Sequence, residues 1–231
     1  MSNQIEPSRA KSSGDIAADI ATAIIERRLP PGTKLKEEAL ARLYSVSRTK
    51  VRAALLMLSK DDLIEIVPEK GACVSKLTRS EAQEIFAVRR ILEAALVREF
   101  VAKASDADYR RVDRHLAQER EALTFSSPQL RSRLLAEFHT LLAEIVGNTV
   151  LADILRKLAA RTSLAAMRSQ SEHDATCSSD EHAMFIQAAK SGDVEKAVTL
   201  MVHHLDHVQE GLAFDDDPQE RSKDLITALL A

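Results

Sequence analysis

The chain has no tryptophan, and with two tyrosines and six phenylalanines its aromatics make up 3% of 231 residues. Strands draw on aromatic and β-branched side chains, whereas the alanine and leucine that abound here favour helix. That imbalance predicts a mainly α protein. Cysteine is scarce as well: Cys73 and Cys177 stand far apart with no CxxC pair, which argues against a disulfide framework. A reactive or metal-neighbouring role for Cys177 is open, but a small buried residue is the commoner case. There is no signal-peptide pattern and no apolar run of membrane length. The expectation is a cytoplasmic protein with no membrane partner.

What is present divides unevenly. The chain is long enough for one large or two small domains, and its formal net charge is −3. Up to Lys76 there are 13 Lys and Arg against 10 Asp and Glu, leaving 19 against 25 of the total 32 and 35 for the remainder. A small basic excess therefore sits at the N-terminal end, as a phosphate-facing head on an acidic body would have it.

The stretch Glu37 to Leu63, EEALARLYSVSRTKVRAALLMLSKDDL, organises that head. Two short amphipathic helices fit it, with Ala39, Leu40 and Leu43 inward on the first and Val51, Ala54, Leu55 and Leu58 inward on the second. Tyr44-Ser45-Val46-Ser47 separates them, and Ser47 is placed to cap the second helix. At about 100° per residue, Arg48, Thr49 and Arg52 cluster beside the apolar stripe, at the end a helix-turn-helix presents to a major groove. There a guanidinium can grip guanine and a threonine methyl can touch thymine. The competing reading is a helical hairpin with a solvated basic edge.

Upstream, Ile16 to Arg28 forms a further amphipathic helix closed by Leu29-Pro30-Pro31-Gly32. Downstream, Ile64–Val67 and Ala72–Ser75 are short β-prone runs around Pro68-Glu69-Lys70-Gly71, a two-stranded wing. Residues 1–12 read as a disordered arm, in which Arg9 and Lys11 can add phosphate contacts. The order of pieces over residues 13–76 is that of a winged helix, and at this point the chain resembles the GntR family of bacterial transcription regulators. PPGTKLKEEALA (30–41), VSRTKVRAAL (46–55) and PEKGACV (68–74) carry the likeness. The resemblance implies DNA binding, with Arg48, Thr49 and Arg52 toward bases and Lys50, Lys70 and Gly71 toward the backbone.

Residues 77–231 show almost no strand signal. Thr78 with Glu81 makes a capping box for a long helix to about Ala104. Further helices are expected over Ala107–Leu123, Gln129–Val146 and Leu151–Met167, from a Ser178/Glu181 cap to Ser191, from Asp193 to Phe214, and over Glu220–Leu230. The sum is an all-α bundle of roughly six helices.

Three histidines on three of those helices point inward. His139 lies at the edge of the stripe of Leu134, Leu135, Phe138, Leu142 and Ile145. His182 shares a face with Phe185, Ile186 and Ala189, and His204 falls near Ala197 and Val208, while His203 points away. A satisfied structural histidine is the commoner role for any one of them, but three converging imidazoles suit a divalent transition metal of the zinc or nickel class. Here the chain resembles the FCD effector domain of the FadR-like branch of the same family, from about Thr78 to Leu212, through VRRILEAA (88–95), EFHTLLAEIVGN (137–148) and DEHAMFIQAAKSGDVEKAVTLMVHHL (180–205). The resemblance implies a metal held by an aspartate and three histidines at the base of an effector pocket. The histidines fall on His139, His182 and His204, but the aspartate falls on Leu135.

For an organic-acid effector, Arg89 and Arg161 are candidate carboxylate partners. The alternative for each is a partly buried salt bridge, Arg89 with Glu93 for instance. The combined expectation is a small-molecule-controlled repressor, homodimeric on a palindromic operator in double-stranded DNA. Two other classes stand beside it: a metal-dependent hydrolase with a three-histidine centre, which lacks HExxH or a comparable pattern and an obvious carboxylate, and a DNA-associated dimer without an effector.

Overall fold

Ser12 opens the first helix: its hydroxyl accepts from the Asp15 amide, and the Asp15 carboxylate accepts from the Ser12 amide in return. Helix α1 then runs Ser13–Ile25 in a computed structural model that describes residues 11–125, 127–165, 172–212, 214 and 225–230. The helix thus starts before Ile16, because its cap sits inside the stretch that reads as an arm; residues 1–10, with Arg9, lie outside the described residues. Ile16, Ile20, Ala23 and Ile24 form the buried stripe. α1 ends in a Schellman turn, with Arg28 donating its amide to the Ala23 carbonyl and Arg27 to that of Ile24.

The head continues through β1 (Lys34–Leu35), α2 (Glu37–Leu43), α3 (Arg48–Lys60), β2 (Ile64–Val67) and β3 (Gly71–Val74). Its sheet is antiparallel in the order β1-β3-β2, with Lys34 opposite Cys73 and Ile64 opposite Val74. The wing therefore belongs to a three-stranded sheet and not a two-stranded one. β1 is two residues long, too short for any alternation to be legible, and it is defined only by pairing with a strand far along the chain.

Among the described residues, six helices form the body: α4 (Arg79–Lys103), α5 (Asp106–Thr124), α6 (Pro128–Ile145), α7 (Thr149–Ser163), α8 (Glu172–Lys190) and α9 (Val194–Glu210). Reciprocal boxes cap α4 (Thr78 with Glu81) and α5 (Ser105 with Asp108). Phe100, Phe138 and Phe185 are fully buried between them, Phe138 meeting Phe185 edge-on at 6.0 Å. Ser178 does not start a helix. α8 begins at Glu172, Ser178 and Ser179 are buried inside it, and the Glu181 carboxylate is taken by His204 and His207. Ser-x-x-Glu is also the spacing of adjacent turns within a helix, so the pattern alone does not separate a cap from an interior. α7 ends at Ser163, and Met167 lies outside the described residues; α9 ends at Glu210, short of Phe214.

The last helix, α10 (Leu225–Leu230), returns to the head, packing on α1 and α2; the expected start at Glu220 is outside the described residues. Leu225 and Ala228, together with Ala160 and Leu164, join the core built by α1, α2 and α3. The head's core thus draws on segments well beyond residue 77. α1 in turn packs on α6 and α7, and Lys157 to Asp61 at 2.8 Å and Arg133 to Glu26 at 3.1 Å tie the seam.

Candidate functional site

On α3, Val51, Ala54, Leu55 and Leu58 are buried, which leaves Arg48, Thr49 and Arg52 in solvent at the N-terminal end. The Ser47 hydroxyl accepts from the Lys50 amide at 3.3 Å and fixes that end. Lys50 is half-buried, while Lys70 and Gly71 stand exposed at the wing. Gly71 has φ +85 with nothing within 4 Å of where a side chain would begin, so backbone conformation is what selects glycine there. Glu37 is a participant the sequence did not announce. It receives Arg52 at 2.8 Å and Arg48 at 3.2 Å, holding both guanidiniums on one side of the helix. The Arg52 hydrogen bond in turn keeps the Glu37 carboxyl below its ordinary range.

In the body, His139 from α6, His182 from α8 and His204 from α9 are all buried, with one ring nitrogen from each lying within 4.8 Å of the others. Their convergence follows from stripes that place each ring on the inner side of its helix, and Phe138 stacks on the His182 ring at 3.7 Å between centroids. Each histidine also has its own carboxylate. His139 Nδ1 is bonded to Glu93, His182 Nδ1 lies 3.0 Å from Glu119, and His204 Nδ1 lies 2.8 Å from Glu181. An ionised carboxylate only accepts, so Nδ1 donates and Nε2 is the atom offered to the centre. Nε2 of His182 and Nε2 of His204 are 3.3 Å apart.

The carboxylates are ionised by their partners. Burial would raise the Glu93 carboxyl, but Arg89 and His139 outweigh it and hold it at about 2. At Glu119 burial is likewise overcome, by His182 and His115, again to about 2. The Glu181 carboxyl is lowered against burial by His204 and His207. Burial and then His182 push His204 down to about 3, and burial lowers His139, so both rings are neutral at pH 7 as metal ligands must be. Glu93, Glu119 and Glu181 were not legible beforehand: a glutamate on a helix is ordinarily solvated, and only the packing of α4, α5 and α8 around the rings turns these three inward.

This donor set fits a metal. Two nitrogens at 2.0–2.1 Å from a tetrahedral zinc lie about 3.3–3.4 Å apart, the spacing already present between His182 and His204. Carboxylates behind the ligating rings are the usual means of fixing tautomer and raising basicity. Leu135 is buried at the edge of the same cavity as His139 and His204, so no carboxylate reaches the centre from that position. His203 is exposed.

The half-open cavity beside His139 and His204 has a volume of about 60 Å³ and is lined by Arg27, Arg89, Leu135 and Ser178 among others. Arg89 is there, and it is also the buried partner of Glu93 at 2.8 Å, so the salt-bridge alternative describes its main contact. Arg161 is elsewhere. It sits in the seam, 3.5 Å from Asp62 of the head and 3.5 Å from Glu81 of α4, because its position on α7 turns it toward α3 and not toward the histidines. A wider cleft of about 750 Å³ lies between α1, α3 and α5 to α7. Its cations Arg111, Arg133, Arg156 and Lys157 are already matched to carboxylates, so the smaller cavity has the more specific chemistry.

Comparison with known proteins gives two family matches along the chain. The FCD domain pattern matches residues 84–207, and the pattern for bacterial regulatory proteins, gntR family, matches residues 12–74. The chain is 27% identical over 137 residues to the HTH-type transcriptional repressor RspR of Escherichia coli, which is 59% of this chain and 60% of that protein. It therefore spans about three fifths of that relative's length. To the gluconate operon transcriptional repressor of Bacillus subtilis it is 25% identical over 209 residues, 88% of this chain and 86% of that protein. Among solved structures, Escherichia coli McbR/YncC superposes with a TM-score of 0.77 at 18% identity, covering 84% of this chain and 93% of that one. A GntR regulator from Rhodococcus sp. RHA1 superposes with 0.76 at 22% identity over 86% and 95%. With the FCD pattern covering more than half of its length behind a gntR-type winged helix, the chain belongs to the GntR family of bacterial regulatory proteins, in the branch that carries an FCD domain.

Proposed function

We propose that the protein is a DNA-binding transcription regulator, a repressor, whose grip on its operator is set by a small organic acid bound in the body. The observation that carries this reading is the distribution of side chains on α3. One face is buried in the head core, and Arg48, Thr49 and Arg52 are left in solvent at the end that enters a major groove. In this reading Arg48 and Arg52 contact base edges, while Lys50, Lys70 and the Gly71 amide serve phosphates. Two of the relatives are named as repressors, which supports the sign of regulation.

His139, His182 and His204 would hold a divalent metal of the zinc or nickel class. Such an ion, when bound, supplies positive charge and open coordination positions for an effector's oxygen. Glu93, Glu119 and Glu181 orient the rings. Each is committed to a histidine Nδ1, so none is left as a base beside the centre, and this favours a sensor over a hydrolase.

A homodimer on a palindromic operator completes the reading. α4 presents Val88 and Ile91 to solvent on one side, Ile91 at 72% exposure, a surface suited to a second copy of the helix. Cytoplasmic location follows from the role; among the described residues no helix is long and apolar enough to cross a membrane.

The test is selection of DNA from a random pool by the full-length protein, followed by a metabolite screen with and without chelator. A two-fold-symmetric consensus released by an organic acid is expected. Recovery of no preferred sequence would remove the regulator reading, and turnover of any screened compound would restore the hydrolase.

A further inference from the structure

Arg27 belongs to the head by sequence and to the histidine cavity by position. It is the residue after the α1 C-cap in the Schellman turn, with φ +59, a left-handed conformation in which glycine is the usual occupant. A side chain held at such an angle carries a backbone cost, and residues of this kind collect at functional sites. Its Nε is shielded from solvent, and Arg27 lines the cavity together with Arg89, His139 and His204.

We infer that Arg27 is the head's own contact with the effector: a small carboxylate bound beside the histidines is gripped by Arg27, so that occupancy of the body is felt directly by the DNA-binding domain. This rests on the effector reading above and adds to it the coupling residue and the size of the ligand.

Three further observations support it. Burial and the nearby Arg131 lower the Arg27 guanidinium to about 10, and Arg131 itself is buried on α6. A guanidinium in that position can hold a carboxylate by two parallel hydrogen bonds. The cavity, at about 60 Å³, is small, which suits a short acid better than a bulky one. Finally, Arg27 directly follows α1 and Glu26, and α1 packs against α3. A pull on Arg27 therefore acts on the helix that supports the recognition helix.

The experiment uses the full-length, zinc-loaded protein with acetate, glycolate and pyruvate as probes and citrate as an oversized control. Acid binding is read as a shift in Tm, and its consequence as a change in affinity for DNA selected by the wild-type protein. Arg27→Gly should bind zinc as the wild type does, and its acid-induced shift is read against its own acid-free Tm, since glycine adopts the angle without strain while the contacts of the side chain are lost. Losing one charge-assisted contact should raise the acid concentration needed by about ten- to a hundredfold and abolish the acid's effect on DNA binding. Arg27→Lys should fall between the two, and citrate should be inactive. Wild-type acid midpoints in both Arg27→Gly and Arg27→Gln would overturn the inference while leaving the effector reading intact. A wild-type protein indifferent to every short acid would remove the small-acid effector and this inference together.

Discussion

Nε2 of His182 and Nε2 of His204 face one another at 3.3 Å inside the bundle, each ring held from behind by a glutamate. Two acceptor nitrogens so placed are an arrangement a cation stabilises. Zinc or nickel should therefore raise the Tm of the full-length protein by mass action. His182→Ala should lose that response and His203→Ala should keep it. Elemental analysis of protein purified without a histidine tag checks the stoichiometry. Metal-free wild type whose stability is indifferent to His182→Ala would make these core histidines.

The carboxylates behind the rings should matter nearly as much as the rings. Glu119→Gln and Glu181→Gln should weaken metal binding by about 10–100-fold, read by competition with a chromophoric chelator. Glu93→Ala should be worse, because it strands both Arg89 and His139. Breaking a buried pair of that kind costs about 3–5 kcal/mol, visible as a lower urea midpoint even without metal.

Acid should unfold the metal-free protein earlier than its surface charge suggests. The folded His204 ring, at about 3 in place of 6.5, refuses a proton that the unfolded chain accepts. Unfolding then takes up protons, so stability falls as pH drops from 6.5 toward 3. Glu93 and Glu119, held at about 2 in place of 4.5, add a loss of the same sign between those values. Urea midpoints measured across this range should decline, and His204→Gln should flatten the upper part of the slope. An unchanged slope in that variant would contradict the assignment.

On the head, Arg48→Ala and Arg52→Ala should each cost about 1–3 kcal/mol of operator binding and relax base preference at one position. Lys50→Ala and Lys70→Ala should weaken all sequences alike and reduce the salt dependence of binding. Fluorescence anisotropy at several salt concentrations separates the two classes. Loss of discrimination in Lys70→Ala with an intact salt slope would reverse the roles.

Glu37→Ala should leave stability within about 0.5 kcal/mol, since its pairs with Arg48 and Arg52 are solvent-exposed. Its effect should appear in DNA binding, where the two arginines lose the partner that aligns them. A denaturation midpoint shifted beyond that margin would give Glu37 a structural role instead.

Local chemistry was enough to announce most elements. The Ser47 cap, the Thr78/Glu81 box and the apolar stripe of α3 are written within one or two turns of helix, so the helix-turn-helix, the long α4 and the inward sides of His139, His182 and His204 could be read directly. What adjacent residues cannot encode is the partner across the fold. β1 exists only because Cys73 and Ala72 lie opposite it, and Ser178 is interior only because α8 begins earlier. The glutamates behind the histidines are indistinguishable from solvated ones until α4, α5 and α8 close around the rings. Arg161 and Arg27 lie in different places for the same reason. Both are arginines at helix ends, and the one beside the histidines is the one that a left-handed turn, together with the packing of α1 against α6 and α7, carries across the seam.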